Sequence, residues 1–268
     1  MKSFVADKNR KLSKLALYHV ENLSYSAFLK ALRKRDVKVN GKRVSSDVTL
    51  SVGDRVEVYF NEQVDNKYRE IFSDENVLVL YKKSGYTSES VFESVLCKYS
   101  TAKFIHRLDR NTDGIMIFAL NESSEKELLD GFKNRTFEKK YQAEVVGTPK
   151  NKQDIIEGYL LKDSDSALVK VFDKKVDGSV QIKTGYKVVE IKDQTSVLEV
   201  DLYTGKTHQI RAHLAYIGHP IVGDGKYGDF EFNKKHAAKT QRLTATQLTL
   251  FFTKNSPLKY LDGKKFTI

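Results

Sequence analysis

The sequence has no tryptophan, one cysteine (Cys97) and three prolines in 268 residues. A single thiol excludes an internal disulfide and a cysteine-rich zinc site. The longest uninterrupted apolar run is six residues, Ile115 to Leu120, far below the roughly 18–20 that a spanning helix needs. The first twenty residues mix basic and apolar positions without the apolar core of a secretory signal. These absences predict a cytoplasmic, soluble protein with no membrane association, and a monomer by default. Hydrophobic residues make up 40% of the chain and charged residues 30%, enough to bury a core and to exclude disorder.

Positive charge is plentiful. There are 46 Lys+Arg against 35 Asp+Glu, a net charge of +11, and an excess of this kind points to an anionic partner, nucleic acid first. It is unevenly placed. Residues 1–65 hold 13 basic and 8 acidic residues, a net of +5, and the remaining 203 residues carry +6. Lys30, Arg33, Lys34, Arg35, Lys38, Lys42 and Arg43 stand against Asp36 alone.

A solvated helix face explains most such runs, but the surrounding pattern says more. Ser24 can cap a helix whose apolar positions Ala27, Phe28, Ala31 and Leu32 recur at helical spacing. Val37 and Val39 alternate into Asn40-Gly41, a tight hairpin signal. Val44, Val48, Leu50, Val52, Val56 and Val58 then supply short strands, with Gly53-Asp54 as another turn. The polar stretch Asn61 to Lys67 follows and predicts a boundary between a small domain, 1–65, and a larger one, 66–268.

The second domain opens with a strand-like run, Asn76 to Tyr81, ended by Lys82-Lys83-Ser84-Gly85. Its densest site signal is Phe104-Ile105-His106-Arg107-Leu108-Asp109-Arg110-Asn111-Thr112-Asp113-Gly114. Residues 115–120 read as a buried strand, so the polar segment before them is a loop, and Gly114 permits a tight entry. Arg107 and Arg110 flank Asp109, and nearby guanidinium groups favour the ionised carboxylate that a carboxylate nucleophile requires. A surface salt-bridge cluster would carry the same residues.

Ser124 with Glu127 fits a capping box, with Leu128, Leu129 and Phe132 as the apolar stripe. In the strand-like stretch 137–146, Tyr141, Ala143 and Val145 share one face. An inward tyrosine is core by default, and its hydroxyl needs a polar partner. The third segment, Thr204-Gly205-Lys206-Thr207-His208-Gln209-Ile210-Arg211-Ala212-His213-Leu214, follows a strand over 196–203. Thr207 is the predicted helix cap, which puts Arg211 in the first turn, where an anion is favoured. His208 and His213 are five apart with no glutamate between them, which is not the spacing of a helical zinc pair, so no metal is expected. Four glycines within 218–228 exclude a regular element and predict a loop where backbone comes close to something. That stretch is neither a P-loop nor a dinucleotide fingerprint, so no nucleotide cofactor is expected.

Two resemblances follow from these residues. Leu12 to Phe60 resembles the alpha-L RNA-binding module, through Leu32-Arg33-Lys34-Arg35, Val37-Lys38-Val39-Asn40-Gly41-Lys42 and Val52-Gly53-Asp54-Arg55-Val56. The second domain is similar to the RluA-type pseudouridine synthases, through His106-Arg107-Leu108-Asp109 with Thr112 and Gly114, through Lys140-Tyr141, and through Thr204 to Arg211 with Gly218-His219-Pro220-Ile221. Three ordered motifs are far more specific than one tetrapeptide. The chain departs from the family pattern at Asp113 (usually Ser), Ser84 (often Pro) and Thr244 (usually His). Asp113 thereby adds a carboxylate beside Asp109.

The resemblance implies an α+β fold. A mixed, mostly antiparallel sheet with flanking helices and a central cleft would follow a small α/β RNA-binding module. It implies isomerisation of uridine to pseudouridine, with ribosomal RNA of the large subunit as the first expected substrate and transfer RNA second. Asp109 would be the essential carboxylate, attacking sugar or base or taking a ribose proton. Arg211 would pair with it, and Tyr141 would lie against the uracil. Arg107 would fill the gap left by the uridine, and His106, Lys206, His208 and Gln209 would bind substrate. Arg33, Lys34, Arg35, Lys38, Lys42 and Arg43 would grip RNA, and an isomerisation needs no cofactor. A non-catalytic RNA-binding protein would leave the set Asp109, Tyr141 and Arg211 without a purpose. A glycoside or nucleoside hydrolase generally needs a second, differently protonated carboxylate.

Overall fold

The computed structural model describes residues 1–20, 23, 25–60, 67–163 and 168–268. The expected Ser24 cap and positions 61–66 of the expected linker fall outside them. The chain divides into two compact units, Met1–Asn66 and Lys67–Ile268.

The first unit contains β1 (Lys2–Val5), β2 (Arg10–Lys11), α1 (Leu12–His19), α2 (Tyr25–Arg33), β3 (Val37–Val39), β4 (Lys42–Val44), β5 (Thr49–Leu50) and β6 (Arg55–Val58). Four strands pair in the order β1-β6-β3-β4, all antiparallel, and β2 pairs β5. Asn40 and Gly41 both have positive φ, 50° and 78°, as a two-residue hairpin requires. Phe28, Ala31 and Leu32 of α2 pack with Leu12, Leu15 and Ala16 of α1 and with Val37, Val56 and Val58. Helix α1 has no counterpart among the elements expected from the sequence. Its start is held by Asp47, whose carboxylate accepts from the Ser13 amide and hydroxyl, each at 2.8 Å, the sign of charge a helix N-terminus favours.

The second unit runs β7 (Tyr68–Ser73), β8 (Val77–Lys82), α3 (Ser88–Leu96), β9 (Lys103–Phe104), β10 (Asp113–Ala119), α4 (Glu122–Asn134), β11 (Glu138–Val146), β12 (Gln153–Lys162) and β13 (Val169–Phe172). It continues with β14 (Val180–Ile191), β15 (Thr195–Leu202), α5 (Gln209–Tyr216), α6 (Phe230–Lys235), β16 (Leu243–Thr249) and β17 (Lys265–Thr267). One eleven-stranded sheet has the order β13-β12-β14-β15-β11-β16-β10-β8-β7, with β9 beside β10 and β17 beside β16. Among the described residues only the β10–β16 pair is parallel. The result is the α+β architecture, mixed and mostly antiparallel.

The apolar runs of β8 and β10 are continuous because both faces of the sheet are covered there. Leu78, Leu80, Met116 and Phe118 enter one core with Tyr141, Ala143 and Val145. Val77, Val79, Ile115, Ile117 and Ala119 enter another with Leu128, Phe137, Leu248 and Leu258. Strand period two splits a single apolar run between two cores.

Two helix starts differ from the sequence reading. The N-cap of α4 is Asn121, not Ser124. Its side chain accepts from the Ser124 amide at 2.9 Å, and Glu122 and Glu125 lie in the first turn. Leu129, placed in the apolar stripe, is exposed. Helix α5 begins after His208, which has φ 56° and makes no side-chain cap, so Thr207 is not its cap either.

Register brings the three motifs together. Tyr141 is opposite Val200 of β15 and Ala245 of β16, and Ala245 is opposite Gly114 of β10. The loop entering β10, the tyrosine of β11 and the turn leaving β15 therefore meet at one end of neighbouring strands. Gly114 makes this possible. Its φ is 119°, and a Cβ there would lie 2.3 Å from the Ala245 carbonyl oxygen. We expect Gly114→Ala to cost at least roughly 3 kcal/mol in urea unfolding, because both backbone strain and a backbone clash oppose it. An unchanged midpoint would show that the β10–β16 crossing does not need a bare Cα.

Candidate active site

Asp109, Tyr141 and Arg211 line one cleft of about 530 Å³. Arg211 is the third residue of α5, and its guanidinium is nearly buried. Nε donates to Asp224 Oδ2 at 2.7 Å, Nη2 to Asp224 Oδ1 at 2.9 Å, and Nη1 to Asp109 Oδ2 at 2.8 Å. One cation thus holds two carboxylates. Asp224 is 0% exposed, whereas Asp109 keeps 21% of its side chain open. Burial alone would raise the Asp224 carboxyl; the Arg211 fork and the amides of Lys226 and Tyr227 outweigh it and hold the group below the usual carboxylate range. Burial opposes the Arg211 charge, and the two carboxylates more than offset it.

Asp224 was missed in the sequence, where it reads as part of a glycine-rich loop. That loop does bring backbone close to something, namely the chain itself. At Gly223 (φ 75°) a Cβ would lie 2.0 Å from the Thr240 carbonyl oxygen. The approach sets Asp224 beneath Arg211, and it sets Tyr227 so that its hydroxyl meets His208 Nδ1 at 3.0 Å. His208 Nε2 lies 3.8 Å from Asp109 Oδ2. Burial lowers the His208 pKa against the opposing pull of Asp109.

The flanking arginines do not pair with Asp109. Arg107 is exposed at the cleft with Nη1 3.6 Å from Glu89, and Arg110 Nε donates to the Gly85 carbonyl at 2.9 Å. What holds the loop is a set of ties along its length. Ser88 Oγ donates to the Leu108 carbonyl and accepts from its amide, both at 2.9 Å. Lys82 is fully buried and donates to the carbonyls of Lys83, Tyr86 and Arg110; burial pushes its amine down to about 8. Gln241 Nε2 donates to Thr112 Oγ1 at 2.9 Å.

His106 is another such tie. Its ring stacks on Phe132 at 4.4 Å, its Nε2 accepts from the Ile117 amide at 3.1 Å, and burial drives its pKa down to about 3. It lines the cleft as a neutral ring. Gln209 also lines the cleft, but its amide is fully engaged within the protein: Oε1 with Thr204 Oγ1 and the Lys206 amide, Nε2 with the Lys183 carbonyl and Thr184 Oγ1. It locks the turn into α5 instead of offering free groups to a substrate. Lys206 lines the cleft and is exposed.

Asp113 does not join the site. It is the first residue of β10 and turns to its parallel neighbour, accepting from Thr244 Oγ1 at 2.7 Å and from the Tyr81 hydroxyl. Burial and Asp113 push that hydroxyl up to about 12. Asp113 and Thr244 line a separate cavity of about 370 Å³. Tyr141 is 8% exposed, and burial, reinforced by the Asp109 charge, raises its hydroxyl above the ordinary tyrosine range. Among the described residues no cluster of His, Cys, Asp or Glu has the makings of a metal site.

The profile of the RNA pseudouridylate synthase family matches residues 76–216, a span that contains Asp109, Tyr141 and Arg211. The chain belongs to that family, in its RluA-type branch. The ribosomal large subunit pseudouridine synthase C of Vibrio vulnificus is 32% identical over 240 residues, covering 80% of this chain and 75% of that protein. The protein of the same name from Escherichia coli is 29% identical over 235 residues, 78% of this chain and 73% of its own. An uncharacterized RNA pseudouridine synthase of Mycoplasma pneumoniae is 32% identical across 98% of this chain and 89% of its own length. The solved structure of human RNA pseudouridylate synthase domain containing 1 superposes with a TM-score of 0.61 at 23% identity, covering 68% of this chain and 77% of that one, and so shares the fold. The synthase is an RNA-modifying isomerase.

The two carboxylates on Arg211 differ in burial, and so in what their removal costs. Asp224→Ala is expected to destabilise the synthase by about 3–5 kcal/mol, since it strands a buried cation. Asp109→Ala leaves the Asp224 fork in place and is expected to cost under about 1 kcal/mol. Equal losses in paired urea melts would refute the division.

Proposed function

We propose that this synthase converts uridines of large-subunit ribosomal RNA to pseudouridine in the cleft between the loop before β10 and the turn before α5, with Asp109 as the carboxylate that acts on the nucleoside. The observation that carries the reading is the Arg211 bridge. A cation fixed by Asp224 from behind presents Asp109 to the cleft, opposite the Tyr141 ring. The substrate class is taken from relatives whose names assign them to the large ribosomal subunit.

The reaction breaks the C1′–N1 bond of uridine, turns the uracil and forms a C1′–C5 bond. N1 gains a proton and C5 loses one, so the sum is an isomerisation. Asp109 carries the detachment, by attack or by proton abstraction. Arg211 holds its carboxylate through Nη1, and Tyr141 gives the uracil a flat apolar wall. Arg107, exposed at the cleft, occupies the stack from which the nucleotide is turned out, a step that costs a few kcal/mol. His208 adjoins Asp109 and is aimed by Tyr227.

The first unit is the RNA-gripping module in this reading. Arg33, Lys34, Arg35, Lys42 and Arg43 are exposed, while Lys38 lies against Glu57 and Tyr59 and offers less.

Two measurements test this function. Incubated with RNA tritiated at uracil C5, the wild-type synthase is expected to release tritium to water, and Asp109→Ala to release none while RNA affinity changes only a few-fold. Undiminished release by the variant removes Asp109 from its role, and a hydrolase would liberate free uracil. Replacing Arg33, Lys34 and Lys42 together with Gln is expected to flatten the log–log salt dependence of RNA binding by about 2, at roughly 0.7 per phosphate contact. An unchanged slope would remove the module from RNA binding.

A further inference from the structure

The cleft carries more positive charge than the site chemistry uses. Among the described residues Asp109 is the only acidic one in its lining, and Arg211 is already balanced by Asp109 and Asp224. Lys133, Arg135, Lys139 and Lys206 also line it, and among the described residues no ion pair forms to any of the four. Uracil and ribose are both neutral, so neither accounts for these cations.

Two of them sit where an ordinary surface cation would not. Lys139 and Lys140 are consecutive in β11 and point to opposite faces. Lys140 is neutralised by Glu199 at 2.8 Å and Asp201 at 3.5 Å, whereas Lys139 is half-buried in the cleft with no carboxylate of the described residues paired to it. Its ammonium lies 5.7 Å from the Phe132 ring centre and reaches the opposite wall, where a Cβ on Gly205 would be 3.7 Å away. Burial, with the neighbouring Arg135 charge, pushes its amine down, so the bare position is costly. Arg135 ends α4 in the left-handed region, φ 59° and ψ 33°, a place glycine fills at no steric cost. The helix dipole favours a cation there, but it does not require one with strained backbone, nor does it explain Lys139. Strain of this kind gathers at functional sites.

We propose that Lys139 and Arg135, with Lys206 on the opposite turn, form an anion subsite for a phosphodiester adjoining the turned-out uridine. The proposal rests on the synthase acting on RNA as read above. It assigns the cleft's surplus charge to the backbone of the nucleotide whose base and sugar meet Tyr141 and Asp109. Such contacts fix register without reading sequence.

The test uses the intact synthase and a short fluorescein-labelled oligouridylate, with binding followed across a salt series. Arg135→Gly suits the left-handed position, so its melting temperature is expected to be no lower than wild type. Its log–log salt slope is nevertheless expected to flatten by about 0.7, and KM for RNA to rise several-fold with kcat nearly unchanged. Lys139→Met should flatten the slope by a similar amount, and Lys139→Arg should restore it. Lys254→Met, exposed and outside the cleft, serves as the control with unchanged slope. Unchanged slopes in both cleft variants, or affinity lost by one factor at every salt concentration, would overturn the subsite. Failure of the wild type to release tritium from C5-labelled RNA would overturn the synthase reading instead, and the salt slopes would still report on the anion subsite.

Discussion

The site depends on how one guanidinium divides its donors. A buried ion pair is stabilising only when geometry is good and the remaining lone pairs are satisfied, because desolvating both charges costs several kcal/mol. Asp224 meets that condition: both oxygens face the Arg211 fork, and two backbone amides complete Oδ1. Arg211 is thereby fixed without help from the cleft, and its third donor, Nη1, is left for Asp109. A carboxylate that had to position its own cation would lose that cation whenever it changed state. Here Asp109 can change its bonding while Arg211 stays in place.

The same logic applies to the loop that carries Asp109. Its ties run to Ser88 at the start of α3, Lys82 at the end of β8, Gln241 before β16 and Ile117 within β10. Four anchors on separate elements fix a short segment more firmly than local turn chemistry would, as electrostatic preorganisation requires. Those elements are rigid because β8 and β10 are covered on both faces by separate cores. Packing of the two cores, one of which reaches the cleft wall at Leu108 and Tyr141, is thus what holds the aspartate in position.

The legible parts of the sequence were those with a local signature. The Asn40-Gly41 hairpin, the buried strand after Gly114 and the inward face of Tyr141, Ala143 and Val145 each follow from short-range pattern. Three motifs in order were enough to suggest the family that the comparisons establish. What escaped reading was non-local. Arg107 and Arg110 lie near Asp109 in sequence, yet they turn to Glu89 and Gly85; the partner of Asp109, Arg211, is 102 positions away and was expected from the family resemblance, not from local pattern. Asp224 carries no signature of its own, since its meaning comes from Gly223 pressing against Thr240. Lys82 read as the polar end of a strand because three carbonyl acceptors from two loops leave no trace in a linear pattern. The caps at Ser124 and Thr207 failed for a related reason. A better acceptor was available earlier at Asn121, and α5 starts from a turn locked by Gln209.

Asp113, Thr244 and Ser84 show how the surroundings of this site accommodate polar side chains. Asp113 and Thr244 face one another across the β10–β16 pair, and the threonine hydroxyl donates to the carboxylate. A carboxylate on a strand beside the Asp109 loop would disturb that loop if it faced the cleft. Here strand direction turns Asp113 to the other cavity, and Tyr81 and Thr244 supply the donors a part-buried carboxylate needs. Ser84, the third of these residues, lines that same cavity and donates to the Asn111 carbonyl of the Asp109 loop. The three positions therefore lie on one side of the loop, while the Arg211 clamp holds the other. Each of these polar groups finds partners without touching the donors that orient Asp109.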